Sequence, residues 1–306
     1  MAQIFNTGDT WKCIDQEQVF NNWAPITGRS TIVWPGGVIT DYARLHNYYG
    51  FSFILLTDQT RIQNAISAGF DGGHIIFILP SGNDQLWYNT FCNSLFTTYG
   101  ITNFYVDEPS TKTSSGSPCN LSPCPVPHFP DPYYTYVLNA VHSLTNTSTG
   151  ATIKGTLWTA DVEYNVTVFP VGEYFTCCVP DWTVLSRADI AGNDSYKRSW
   201  EAGTIQVTCD NIQQDYDDFW NHLTNFKFVF MTDADTSCYG ALFGKISALG
   251  LPMVAFYCGD NDSTDWSSAD TFAITAYNSG YLTAHRKLHI NGFSIRFLYA
   301  CETCSN

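Results

Sequence analysis

Between residues 30 and 280 the chain repeats one pattern. A short β-branched or aromatic run ends in a polar or acidic turn, an amphipathic segment follows, and a glycine often closes it. The runs predict strands at Thr31–Trp34, Phe51–Leu56, His74–Leu79, Asn103–Val106, Thr152–Trp158, Trp182–Leu185, Lys227–Met231 and Pro252–Tyr257. Near-continuous apolar runs suit a sheet buried on both faces, and their alternation with helical stripes signals βαβ units.

The stripes between the runs are legible as helices. Ile62, Ala65 and Ile66 share a face before Gly69; Trp87, Phe91 and Leu95 repeat at four-residue spacing before Gly100. Asp131 and Pro132 form an N-cap and first helical position, with Leu138, Val141 and Thr145 on one face beyond them. Ile212, Tyr216, Phe219 and Leu223 form a further stripe, as do Leu242, Ile246 and Leu249, and Phe272, Ala273, Ala276 and Tyr277. These stripes are core contacts.

Eight strands, each followed by a helix, make the α/β class and the count of a (β/α)8 TIM-like barrel, whose usual size is about 250 residues. An open doubly wound sheet is the other arrangement with this alternation, but no G-x-G-x-x-G or G-x-x-x-x-G-K-S/T follows a strand. Residues 30–280 are therefore read as the barrel, with a long Ser/Pro/Cys-rich loop at 110–130 after strand four and irregular links at 162–180 and 190–208. Residues 1–29 are an extension packing on the barrel. Residues 281–306 are a C-terminal β-hairpin and tail of the same domain, because Asn291-Gly292 between Leu288–Ile290 and Phe293–Phe297 is a strong hairpin signal.

Composition narrows the partners. The chain has 28 acidic and 14 basic side chains, a formal net charge of −14. Nucleic-acid binders and anionic-membrane binders need a basic footprint, so neither partner is expected; a neutral carbohydrate suffers no such penalty. Apolar residues at 44% suffice for a core and argue against disorder. Charged residues are only 14%, against roughly 25% in ordinary soluble domains, while aromatics reach 16%. This balance points to an extracellular or particle-associated protein, one for which an oligomer remains open. No apolar stretch has the length of a membrane span, so no membrane insertion is expected, and the first residues do not read as a secretory signal.

Eleven cysteines favour an oxidising compartment, and the odd number leaves at least one thiol outside any internal disulfide. Cys119 and Cys124 suit a loop staple. Cys301 and Cys304 form a lone C-x-x-C without the second pair that a zinc site needs, so no metal or other cofactor is expected.

In parallel α/β sheets ligands bind at the carboxyl ends of the strands. Asp58, Asp107, Glu108, Asp161, Asp189, Asp233, Asp235 and Asp260 all fall just past the strands, with Arg187 the positive charge among them. Helix capping accounts for Asp58, Asp235 and Asp260. It accounts poorly for Glu108, which Pro109 and a long loop follow. Crowded carboxylates raise one another's pKa, so one stays protonated while another ionises, the pairing that glycoside hydrolysis uses. Trp34, Tyr105, Trp158 and Tyr257 lie near the same rim and offer faces for sugars, with Arg187 and Asp189 as further substrate contacts; barrel packing is the alternative for each ring.

Asp107-Glu108-Pro109 at the end of strand four resembles the clan A (β/α)8 glycoside hydrolases, in which Asn-Glu-Pro ends that strand. The resemblance implies Glu108 as the general acid/base and a nucleophile at the end of strand seven, where this chain has Asp233 rather than Glu; Asp161 is the other candidate for the second carboxylate. The adjacent acidic pair also looks like the substrate-assisted barrel hexosaminidases, which would have Asp107 orient an acetamido group and Glu108 act as the acid. The expectation is a glycoside hydrolase-like enzyme. Its rivals are a non-catalytic barrel that binds glycan or builds an extracellular or virion assembly, and a metal-dependent phosphoesterase using rim carboxylates. No Gly-x-Ser-x-Gly elbow and no H-E-x-x-H is present.

Overall fold

A computed structural model describes residues 29–36, 39–110, 131–176, 179–200, 203–258 and 266–282, together with the backbone of four short strand segments at 2–5, 11–14, 289–290 and 293–294. Eight parallel strands close into a barrel. They are β1 (Ser30–Pro35), β2 (Phe53–Leu56), β3 (Ile75–Ile78), β4 (Asn103–Asp107), β5 (Thr156–Asp161), β6 (Ile190–Asn193), β7 (Phe226–Thr232) and β8 (Met253–Cys258). Around them lie α1 (Ile62–Ser67), α2 (Gln85–Tyr99), α3 (Asp131–Val141), α4 (Trp182–Leu185), α5 (Cys209–His222), α6 (Tyr239–Ala248) and α7 (Trp266–Asn278). The fold is a (β/α)8 barrel.

Two strands differ from the sequence expectation. Trp182–Leu185 is helical, because Asp181 caps it by accepting the Thr183 and Val184 N–H groups. The sixth strand lies further on, at Ile190–Asn193, pairing with β5 on one side and β7 on the other. Thr152 and Ile153 belong to a small antiparallel pair with Leu144 and Thr145, so α3 stops at Val141 and β5 begins only at Thr156.

Packing explains why β6 is hard to recognise. The barrel interior is filled by Ile32, Leu55, Ile76, Tyr105, Trp158, Phe228, Phe230 and their neighbours. Phe228 claims so much room that a Cβ on Gly192 would lie 2.4–2.6 Å from its ring. Only glycine fits there, and the β6–β7 register shifts at the same place. A strand facing this ring carries Ala-Gly-Asn rather than a β-branched run.

Two pairs of strands rise from the carboxyl ends of β5 and β6 and join as one antiparallel sheet. Its order is Glu173–Thr176, Asn165–Val168, Ile205–Val207, Arg198–Trp200. The segments read as irregular links are thus an ordered wall above one side of the rim. A disulfide joins Cys209 at the start of α5 to Cys238 just before α6, while Cys92 and Cys258 are buried free thiols. His289–Ile290 pairs antiparallel with Phe293–Ser294, as the Asn-Gly step implies. The loop at 111–130, the Cys119–Cys124 staple, Cys301, Cys304 and the packing of residues 1–28 and of the C-terminal hairpin lie outside the described residues.

Phe228 is itself wedged between Trp158 and Phe230, with ring centroids 5.8 and 5.5 Å away, so it has little room to retreat. Gly192→Ala should therefore cost about 1–3 kcal/mol of stability. Chemical denaturation checks this, and unchanged stability would show that the barrel closes without this contact.

Candidate active site at the carboxyl rim

Asp107 ends β4 and points into the top of the barrel, where it accepts a long 3.4 Å hydrogen bond from the Tyr105 hydroxyl. Glu108 follows with φ 38°, the one non-glycine residue with positive φ among the described residues, and its N–H donates to the Ala160 carbonyl on β5. Glutamate has no preference for this conformation, and such strain is retained mainly where function demands it. Both side chains are half-buried and reach the rim.

Asp161, at the end of β5, is completely buried. Its Oδ2 accepts from the Ser110 N–H at 2.9 Å and hydroxyl at 2.6 Å, and its Oδ1 from the Val162 N–H. Burial, with the nearby charge of Glu108, raises its pKa to about 8 against the pull of those donors. Both oxygens are engaged, so Asp161 anchors the start of the loop after β4 rather than facing a substrate.

Asp194 stands where the true β6 ends. Burial holds its carboxyl far above the usual range, and the charges of Glu108 and Asp107 push the same way, against Arg198. Arg198 is on the edge strand of the upper sheet, and its guanidinium lies over Tyr164 and Tyr196. Asp107, Glu108, Asp161 and Asp194 thus share one end of the barrel with the Arg198 guanidinium.

A second acidic group braces the upper sheet. Asn165 Nδ2 donates to Asp215 Oδ1 at 2.7 Å and to Asp218 Oδ2 at 3.3 Å, both on α5. Burial first, then the nearby Asp218 carboxyl, raises the Glu163 carboxyl to about 8.

The remaining expected residues separate. Trp34 and Tyr257 are neighbours on β1 and β8 with ring centroids 4.8 Å apart, half-buried at the top of the barrel. Tyr105 and Trp158 are interior packing: Tyr105 is fully buried, and Trp158 donates to Asn103 near the strand starts. Asp233 is exposed past β7, accepts the Ala234 N–H, and has Tyr239 and Cys258 as its electrostatic neighbours. Asp58 caps a short helix as expected, and Asp235 completes a capping box with Thr232; Asp260 lies outside the described residues.

Asp189 and Arg187 are corrections. Both precede β6, so they lie at the opposite, amino-terminal end of the barrel. Asp189 takes the Leu157 N–H, Lys154 and His142, which lower its pKa although burial opposes them. Arg187 donates to Thr135 and covers the Tyr134 ring. Asp194, Tyr196 and Arg198 were missed for the same reason, a sixth strand placed eight residues early, and Tyr164 because the segment after β5 was read as an irregular link. The acidic residue after Ala-Gly-Asn was the signal that could have found Asp194. Among the described residues no group of three or more His, Cys, Asp or Glu is arranged to hold a metal ion, and no helix is long and apolar enough to cross a membrane.

The raised carboxyls set a pH dependence. Asp161 and Glu163 ionise near pH 4 when unfolded, by ordinary values of about 3.9 and 4.3, but keep protons to about 8 in the fold. Their contribution is full below about pH 4 and is lost as pH rises toward 8. The melting temperature should fall from pH 5 to pH 9, and Glu163→Gln, which removes the titrating carboxyl, should flatten that fall. An equal slope in wild type and variant would show that Glu163 is ionised in the fold.

No family model matches the chain, and no curated protein matches it. Among solved structures, a sugar phosphate isomerase/epimerase from Parabacteroides distasonis ATCC 8503 is similar with TM-score 0.46 and 8% identity, over 83% of this chain and 100% of that one. A GH30 endoxylanase from Clostridium papyrosolvens C71 gives TM-score 0.40 and 12% identity, over 84% and 72%. A fungal endo-beta-N-acetylglucosaminidase from glycosyl hydrolase family 18 gives 0.43 and 8%, over 81% and 97%. At such identities the likeness concerns the barrel and not its chemistry.

Proposed function

We propose that the protein is a carbohydrate-active barrel hydrolase in which Glu108 gives its proton to the glycosidic oxygen and Asp107 orients the sugar. The observation that carries this reading is the strained backbone of Glu108, half-exposed at the end of β4 amid carboxyls whose burial favours their protonated forms. General acid chemistry needs a proton held at working pH on a group the substrate can reach. Trp34 and Tyr257 supply aromatic faces on the same rim. Asp161 has both oxygens engaged, and Asp233 stands past β7 among other neighbours, so the adjacent pair Asp107 and Glu108 fits the substrate-assisted version, in which a sugar acetamido group attacks the anomeric carbon. The Cys209–Cys238 disulfide suits an extracellular setting.

A second reading has its own observation. Phe169, Val171 and Tyr174 are exposed, on and between two strands of the upper sheet, at 40%, 67% and 61%. Apolar exposure of this kind suits a non-catalytic glycan-binding or assembly role.

A panel of N-acetylated and unacetylated glycans separates these readings. The wild type should cleave the acetylated substrates, and Glu108→Gln should lose about 100- to 10,000-fold in kcat. Equal turnover by the variant would remove Glu108 from the reaction. Binding without cleavage by the wild type would favour the second reading.

A further inference from the structure

Glu108 stands where β4 stops being a strand. Up to Asp107 the pairing with β5 is regular, and the Glu108 N–H still donates to the Ala160 carbonyl at 2.9 Å. An evenly spaced parallel ladder would next bring the Ser110 N–H to the Val162 carbonyl. That N–H donates instead to the Asp161 side chain, 2.9 Å from Oδ2. The left-handed turn at Glu108, φ 38°, diverts the chain. Alternation along β4 puts Tyr105 in the barrel interior and Phe104 and Val106 in the buried layer outside it. Continued, that outer row would include Glu108, yet Glu108 is half-exposed at the rim.

A left-handed turn is unfavourable for any residue with a Cβ, and it persists only where surrounding bonds over-determine it. Here those bonds converge on Ser110. Its N–H and its hydroxyl, the latter at 2.6 Å, both donate to Asp161 Oδ2, and the same hydroxyl accepts the Asp181 N–H at 2.9 Å. Asp181 is itself fixed as the cap of α4, and the Val162 N–H holds Asp161 Oδ1 at 2.9 Å. Asp161 and Ser110 are both buried, so water does not compete for these bonds. Only Pro109, whose ring fixes its own φ, separates Ser110 from Glu108. A fixed Ser110 therefore constrains the Glu108 backbone directly.

We propose that Asp161 is a positioning residue for Glu108: by holding Ser110 against the end of β5 it keeps Glu108 in the left-handed turn that sets its carboxyl on the rim. The catalytic meaning rests on the reading of Glu108 as proton donor; the conformational claim stands without it. It also gives the buried carboxylate of Asp161 a purpose, since a backbone carbonyl in its place would continue the strand rather than end it.

Glycine and alanine at position 108 read the turn in the full chain, because glycine adopts positive φ freely and alanine does not. With Asp161 in place, Glu108→Gly should melt above Glu108→Ala by about 1–3 °C. Combined with Asp161→Asn, which replaces one of the two accepting oxygens by a donor, the turn should relax and the alanine variant should melt level with the glycine one or above it. A general loss of stability moves both variants together and leaves the gap unchanged. The same gap in both backgrounds would overturn the proposal, as would Glu108→Gly melting below Glu108→Ala with Asp161 in place. Should Asp161→Asn fail to fold, Ser110→Ala carries the test by withdrawing the hydroxyl: a narrowed gap supports the proposal and an unchanged one overturns it. Where hydrolysis is measured, Asp161→Asn should lower kcat about 10- to 100-fold and leave KM within about twofold. A closed gap without any hydrolysis by the wild type keeps this proposal and removes the proposed function. Hydrolysis with an unmoved gap does the reverse.

Discussion

Closure of the barrel around an interior crowded with rings is the constraint on which the rest depends. Phe228 and Phe230 from β7, Trp158 from β5 and Tyr105 from β4 fill the space that eight strands enclose. The four-residue β6 completes the ring of hydrogen bonds only because Gly192 leaves room for Phe228. That one fit fixes where β6 begins and ends. It thereby puts Asp189 at the amino-terminal end, bound by Leu157, Lys154 and His142, and Asp194 at the carboxyl end beside Glu108.

Above the barrel the same logic extends to charge. The links after β5 and β6 form one sheet because each supplies two strands, and α5 receives that sheet through Asn165, Asp215, Asp218 and Glu163. Carboxyls in such a place are costly when ionised, and the fold meets the cost by keeping protons on them or by offering donors. At Asp161 the donors are Ser110 and Val162. At Glu163 burial keeps the proton on the carboxyl. Glu108 and Asp107 differ because they are half-exposed at the rim.

Much of this was legible in the chain. The barrel class, seven of the eight strands in approximate place, the hairpin at Asn291-Gly292 and the position of Asp107-Glu108 followed from hydrophobic period and turn chemistry, which are local properties. The sixth strand was not, because Trp-Thr-Val-Leu has the residue types of a strand and Ala-Gly-Asn does not. Asp181, one residue earlier, made those four residues helical by capping them. Tertiary packing against Phe228 made the weaker run a strand.

The sequence alone determined that the chain builds βαβ units, that it carries an acidic excess, and that carboxylates gather past its strands; each is written in spacing and residue type. Only the tertiary structure decided which carboxylates meet. Asp107, Glu108, Asp161 and Asp194 come from three strands, and Arg198 comes from a sheet assembled out of two separate links, with Tyr164 and Tyr196 just ahead of its strands. Their proximity depends on strand register around a closed ring and on burial that sequence spacing does not encode.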